Sequence, residues 1–273
     1  MGFLAALAAL LLTVAACGSD PTATPTPTSA PVDDHDDDHD DDHGDGLAYD
    51  AGTAAISIDG VIADWAGVEH LAVPMQSLDT TRSVEVELQV AVSGEDLAVL
   101  VTIPDDYNAT PGDHSGSGSF AVLWAIGDHD GVHMGTDGKD YGTSLGMVDI
   151  WHWEIDCEPG VVSGGINRSE DGDDPACNLD DEYALTPFER FDDDGDNLLK
   201  GVYDHSGRAL GEDAAGDWYW ELKRPLTTSD VQDAQFASGA TALVALAYWD
   251  ADETADGWTD SGHLQSSDFG WIE

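Results

Sequence analysis

The chain has 273 residues, of which 56 are Asp or Glu and eight are Lys or Arg, for a formal net charge of −48 at pH 7. So acidic a polymer is repelled by nucleic acid and by an anionic membrane face, and both are excluded as partners. The ten histidines and nine tryptophans are the unusual residues that remain to be placed.

The first seventeen residues read MGFLAALAALLLTVAAC. The apolar run from Phe3 to Ala16 is too short to span a bilayer, which takes about twenty residues. It has the length of a secretory h-region. Its VAAC ending resembles the lipobox of bacterial-type lipoproteins, in which the cysteine becomes the lipidated first residue. The resemblance implies a lipid on Cys17 and an anchored location at the periplasmic or outer cell surface. An ordinary cleaved signal with an incidental cysteine is the alternative, and both readings export the chain.

Residues 18–46 are expected to form a disordered tether. GSDPTATPTPTSAPV is too rich in Pro, Thr and Ser to bury apolar surface. DDHDDDHDDDHGDG follows, with His35, His39 and His43 spaced four apart. Imidazoles among carboxylates are able to hold Zn, Ni or Cu loosely. A like-charge block is also a self-repelling solvated spacer. The run and Asp20 take ten of the acidic residues, so the part from Leu47 onward still carries a charge near −38.

Residues 47–273 are expected to form one β domain, with no long amphipathic helix. AAISIDGVIADW reads as a leading strand and a turn that packs Trp65 against the sheet. SVEVELQVAVSG alternates cleanly, with Val84, Val86, Leu88 and Val90 on one face and Glu85, Glu87 and Gln89 on the other. DLAVLVTI follows across SGED as the second arm of a hairpin. SFAVLWAI, MVDIWHWEI, GDWYWELKRPL and TALVALAYWD supply four more strands. Short strands separated by turn residues predict an antiparallel β-sandwich of immunoglobulin-like or carbohydrate-module-like form. Pro159 to Asp217, rich in Asp and Gly, is predicted to be a long irregular insertion or lid. Cys157 and Cys177 flank part of it, and an exported chain permits a disulfide between them; two free thiols or a shared metal site are the alternatives. DDDGDN, Asp192 to Asn197, hints at calcium, but its glycine is misplaced for an EF-hand loop.

The blocks IDGVIADW, AVLWAI, VDIWHWE, WYWELKRPLTTSDVQDAQF and ALVALAYWD occur in an order that resembles the haem-binding subunit of ethylbenzene dehydrogenase. That family is also described as the cytochrome c-552/DMSO reductase-like haem-binding domain. The resemblance covers roughly Ala54 to Ile272 and implies a β-sandwich holding one non-covalent haem b. It places the axial methionine at Met134 and the second ligand after the last core strand, where His263 stands in place of the family's lysine. His133 and His152 are the next ligand candidates. Trp151 and Trp153 would then line the haem slot, with His152 on the opposite strand face. A six-coordinate iron of this kind transfers electrons and does no bond chemistry. The implied partner is a redox subunit or cytochrome at an outer surface.

No catalytic residue is assigned. The chain has no nucleophile elbow, no Gly-rich phosphate loop and no two-histidine metal motif on a helix. The alternative function is a non-haem ligand- or carbohydrate-binding lipoprotein on the same scaffold, with tryptophans stacking on sugar rings.

Overall fold

The computed structural model describes residues 47–77, 79–109, 118–127, 147–154, 162–163, 178–185, 189–192, 198–211, 213–237, 242–250, 262–266 and 270–272. The chain divides into two units, Met1–Asp42 and His43–Glu273, and all described residues belong to the second. Cys17, His35, His39, His43, His133, Met134, Cys157 and Cys177 lie outside the described residues, as does the segment from Asp193 to Asn197.

In chain order the strands are β1 Leu47–Tyr49, β2 Gly52–Thr53, β3 His70–Ser77, β4 Ser83–Ser93, β5 Asp96–Asp106, β6 Ser119–Ile126, β7 Met147–Glu154 and β8 Val162–Ser163. They continue as β9 Asn178–Leu185, β10 Glu189–Asp192, β11 Lys200–His205, β12 Ala215–Pro225, β13 Ala242–Trp249, β14 His263–Ser266 and β15 Gly270–Ile272. A 3-10 turn, Ile62–Gly67, precedes β3. The strands join in one hydrogen-bonded path, β10-β9-β7-β6-β13-β14-β3-β4-β5-β12-β11-β8. Pairing along it is antiparallel; β1–β15 and β2–β4 are parallel. The path folds back at β14, so that β7, β6 and β13 face β4, β5 and β12 across a shared core. The fold is an all-β antiparallel sandwich.

Alternation along each strand decides which side is buried. Val86, Leu88 and Val90 of β4 and Val99, Val101 and Ile103 of β5 are sealed inside. Removing each from water is worth roughly 1.5–3 kcal/mol. The facing layer contributes aromatic rings. Phe120 stacks on Trp220 at 5.3 Å, Trp153 meets Tyr203 edge-on at 5.3 Å, and Trp124 tilts against Trp151 at 5.3 Å. The first two pairs join the two layers and the third joins neighbouring strands β6 and β7, and offset and edge-on geometries add to plain area burial.

Two expectations are corrected by the structure. The stretch expected to be an irregular insertion holds β8, β9, β10 and β11 and the start of β12. The expected leading strand over Ala54–Ser57 is extended chain outside the ladder. There Ile56 N–H donates to Ser93 Oγ at 3.0 Å, and the Lys223 ammonium donates to Ile56 O at 3.3 Å. Ile56 and Ile58 bury against the outer face of β4, β5 and β11, so packing and side-chain bonds hold the segment where a ladder does not.

One glycine is required by the aromatic packing. A Cβ on Gly201 of β11 would sit inside the van der Waals envelope of Trp153 and 2.9 Å from Leu222 Cδ2. Both neighbours are wholly buried and have nowhere to move. Gly201→Ala should therefore cost about 1–3 kcal/mol through overpacking, seen as a lower urea midpoint at unchanged slope.

Candidate functional site

On the outer face of β4, β5 and β12 the residues opposite the core are Glu85, Glu87 and Gln89, then Leu100, Thr102 and Pro104, then Asp217, Tyr219 and Glu221. The register sets Glu87 beside Thr102 and Thr102 beside Tyr219. Such neighbours stand about 5 Å apart at each step.

The 3-10 turn Ile62–Gly67 lies over one end of this face, and two polar side chains, one buried and one half-buried, hold it there. Glu221 accepts from Trp65 Nε1 at 2.7 Å and from Gly60 N–H at 2.8 Å. Gln89 Nε2 donates to Trp65 O at 3.0 Å and to Val68 O at 2.8 Å. Gly60 has φ +80°, a conformation that L side chains seldom adopt and that aims its N–H at the carboxylate. Burial raises the Glu221 carboxyl above its ordinary range, against the pull of the two N–H donors.

The fastened turn walls a groove of ≈ 640 Å³, within the size of small-ligand sites. Thr102 and the half-buried ring of Tyr219 form its floor, Ile62 and Ala66 its apolar lip, and Glu85, Glu87 and Asp217 its acidic side. Among the described residues no Lys or Arg lines it.

A second constellation lies inside the sandwich, near the end of β12. Arg224 is wholly buried, with its guanidinium 2.7 Å from Asp149, 2.6 Å from Asp233 and 3.5 Å from Asp181. It also donates to Ala234 O at 2.8 Å and lies 5.0 Å from the Trp151 ring. Burial opposes the guanidinium charge, but the three carboxylates outweigh it and hold the group above its ordinary value. Burial lifts Asp149 up to about 6 and raises Asp233, in both cases against the attraction of Arg224. Oxygens of the three aspartates come within 4.8 Å of one another, a spacing that a divalent cation also accepts. Here the guanidinium is the cation among them, so the cluster reads as a structural ion network.

At the opposite end of the sandwich Tyr248 donates to Asp105 Oδ2 at 2.5 Å. Burial, with Asp250 nearby, pushes the Asp105 carboxyl up to about 7. Asp250 is itself held by Arg82 at 2.5 Å.

The described residues among those expected at a haem site are not gathered into one. Trp151 and Trp153 point inward at full burial, packed against Trp124, Phe236 and Tyr203. His152 lies on the outer face, 2.9 Å from Ser119 Oγ and 3.5 Å from Glu182, with Trp249 edge-on at 5.5 Å. His263 stacks on Trp249 at 4.7 Å on that same outer face, and burial lowers its pKa to about 4. Two tryptophans inside and two histidines outside do not make one slot.

Comparison with known proteins agrees in overturning the resemblance. No family model and no curated protein matches the chain. Among solved structures it is similar to a putative carbohydrate-binding protein from Bacteroides uniformis ATCC 8492, at 9% identity and a TM-score of 0.47, over 83% of this chain and 98% of that one. It is also similar to a family 9 carbohydrate-binding module from Caldicellulosiruptor kristjanssonii. In the complex with cellotriose that module aligns at 12% identity and a TM-score of 0.42, over 83% of this chain and 92% of that one. In the complex with glucose the figures are 14%, 0.43, 83% and 94%. These are not haem subunits. With Trp151 and Trp153 inside, His152 and His263 outside and no family model matching, the assignments of haem b, of electron transfer and of kinship to ethylbenzene dehydrogenase are set aside, and with them the iron-ligand roles of Met134 and His263.

Sugar stacking on tryptophan also finds no support in the seven tryptophans whose side chains are described. Trp65, Trp124, Trp151, Trp153, Trp218, Trp220 and Trp249 are all buried. The aromatic ring open to a ligand on the groove face is Tyr219, which the sequence reading passed over. Its signal was present in WYWEL, where Tyr219 and Glu221 alternate with Trp218 and Trp220.

Arg224→Met should lower stability by about 3–5 kcal/mol by leaving buried carboxylates without their cation. The deficit measured by urea unfolding should shrink as pH is lowered toward 5 and the aspartates protonate. A neutral outcome at pH 7.5 would remove the network from its structural role.

Asp105 and Asp149 hold their protons more tightly folded than unfolded, so their contribution is present at low pH and lost as pH rises through about 7 and about 6. The melting temperature should thus increase as pH falls from 8 to 6.5. Below that, the depressed pKa values of His263 and His205 oppose the gain, because the unfolded imidazoles protonate first. Asp105→Asn should flatten the rise between pH 8 and 6.5; an unaltered slope would show that Asp105 does not carry it.

Proposed function

We propose that this chain is a saccharide-binding β-sandwich, exported and held at an outer surface by a lipid on Cys17, and that its ligand lies in the groove over β4, β5 and β12. The observation that carries the reading is the Glu87–Thr102–Tyr219 row beneath the fastened turn. A half-buried tyrosine offers a flat apolar surface for a pyranose face, while its edge remains wet. The carboxylates and the threonine hydroxyl beside it accept and exchange hydrogen bonds with sugar hydroxyls, and charged acceptors make the stronger bonds. The floor belongs to three paired strands and the wall is tied down by Glu221 and Gln89, so the site is preformed and little ordering opposes binding. Nothing in the row serves as an activated nucleophile, which is why binding and not turnover is proposed.

The Pro/Thr-rich segment and the Asp/His run then serve as a spacer between membrane and domain, which gives the groove reach toward extended polymers.

Affinity electrophoresis of the full chain through gels containing soluble β-1,4-glucan, xylan, mannan or an amino-sugar polymer tests the proposal. At least one should retard it, and Tyr219→Ala should weaken retention tenfold or more while far-ultraviolet circular dichroism stays native. Unretarded migration in every gel, or a Tyr219→Ala variant that binds as the parent does, would overturn it.

A further inference from the structure

The charge of the groove narrows the ligand further. Glu85 and Glu87 are exposed two residues apart on β4, and Asp217 stands two residues from Tyr219 on β12. All three carboxylates line the same groove, with His70 as its one imidazole and no Lys or Arg. Four of the described cations pair away from the groove, and Lys200 stands opposite Lys223, four residues along β11 from Asp204, the neighbour of Tyr219. Arg82 pairs with Asp250, Arg208 with Asp204, Lys223 with Asp96, and Arg224 with the interior aspartates. Among the described residues no Lys or Arg lines the groove to neutralise its acidic side, and a cationic ligand is its complement.

We infer that the groove selects a cationic saccharide, a polymer of hexosamine units carrying free ammonium groups, over neutral and anionic sugars. The inference rests on the saccharide-binding reading of the same groove. One pyranose ring over Tyr219 places a substituent on its edge within about two strand spacings of Glu87, and closer to Asp217, because neighbouring strands lie about 4.8 Å apart. An ammonium there gains from the carboxylates and from the tyrosine face together. A uronate or sulfated sugar meets three like charges. Because Glu85 and Glu87 are exposed, each contact is individually modest and sensitive to salt.

Three β-1,4-linked tetramers that differ at carbon 2 provide the test: cellotetraose with a hydroxyl, the N-acetylglucosamine tetramer with an amide, and the glucosamine tetramer with an ammonium. Calorimetry on the full chain at pH 6 and low salt should show the ammonium tetramer binding about tenfold more tightly than the other two. That preference should fall several-fold in 0.5 M salt. In E85Q/E87Q the ratio should fall toward one, and Tyr219→Ala should lose the ammonium tetramer as well. The double variant removes two charges from a chain carrying −48, so diffuse attraction of a cation to the whole protein would survive it. A preference that persists undiminished in E85Q/E87Q therefore overturns the inference. Equal affinity for all three tetramers overturns it too, yet leaves a saccharide site in place. Binding of none of them, with none of the polysaccharides retarding the chain, sinks both readings together. Tight binding of a lysine oligomer in place of the glucosamine tetramer would assign the groove to a basic peptide and likewise overturn it.

Discussion

The guanidinium of Arg224 is the constraint around which the sandwich is arranged. It reaches inward from β12 to Asp149 of β7, Asp181 of β9 and Asp233 of the segment after β12, so one side chain ties both layers to that segment. Asp149 also accepts the N–H of Ala234 at 2.8 Å, which fixes the same segment a second time. Three carboxylates around one guanidinium leave an excess of negative charge in the interior. Burial answers by lifting Asp149 and Asp233 above their usual range. A network of this kind adds little net stability over an apolar core, but its removal from one side is costly. It specifies which strands meet. The rings of Trp151 and Phe236 close over the guanidinium at 5.0 and 5.9 Å.

With the interior filled, function moves to the outside. The outer face of β4, β5 and β12 is partly covered by the Ile62–Gly67 turn, and the covering is itself polar chemistry: Glu221 and Gln89 satisfy the turn's N–H and carbonyl groups. What the turn leaves uncovered is the groove, with the Tyr219 ring and a row of carboxylates. A chain with eight basic residues has few cations to set against its acidic surface. Arg224, Arg82 and Lys223 are paired with aspartates, no described Lys or Arg lines the groove, and the open face stays acidic.

Much of this architecture was legible in the sequence. VEVELQV announces both faces of β4, and the hairpin across Gly94, at φ +72°, follows from its turn residues. The alternation in VDIWHWE separates Asp149, Trp151 and Trp153 from Ile150 and His152. Other elements were hidden by charge. NLDDEYAL does not look like a strand, yet β9 places Asp181 inward on Arg224 and Glu182 outward near His152. An acidic residue in the core is intelligible only once its cation, 43 positions away, is known. The same gap explains the haem expectation. The tryptophans of VDIWHWE were read as lining a cofactor slot and WYWELKRPL as part of the same resemblance, whereas their Asp149, Trp151 and Arg224 are partners in a packed network. A row of large apolar residues signals burial but does not say whether a cofactor or another side chain fills the space. Tyr219 escaped notice because it sits between two tryptophans that dominate the pattern and are both sealed inside.

The claim on which the functional account turns is the location of the ligand. A two-dimensional amide spectrum of the ¹⁵N-labelled chain, titrated with the glucosamine tetramer, tests it directly. The account predicts shifts clustered at residues 62–68, 85–89, 100–104 and 217–219, with the amides around Asp149, Asp181 and Arg224 unmoved. Shifts confined to the loops at the Asp105–Tyr248 end of the sandwich, with the Tyr219 amide unmoved, would contradict it.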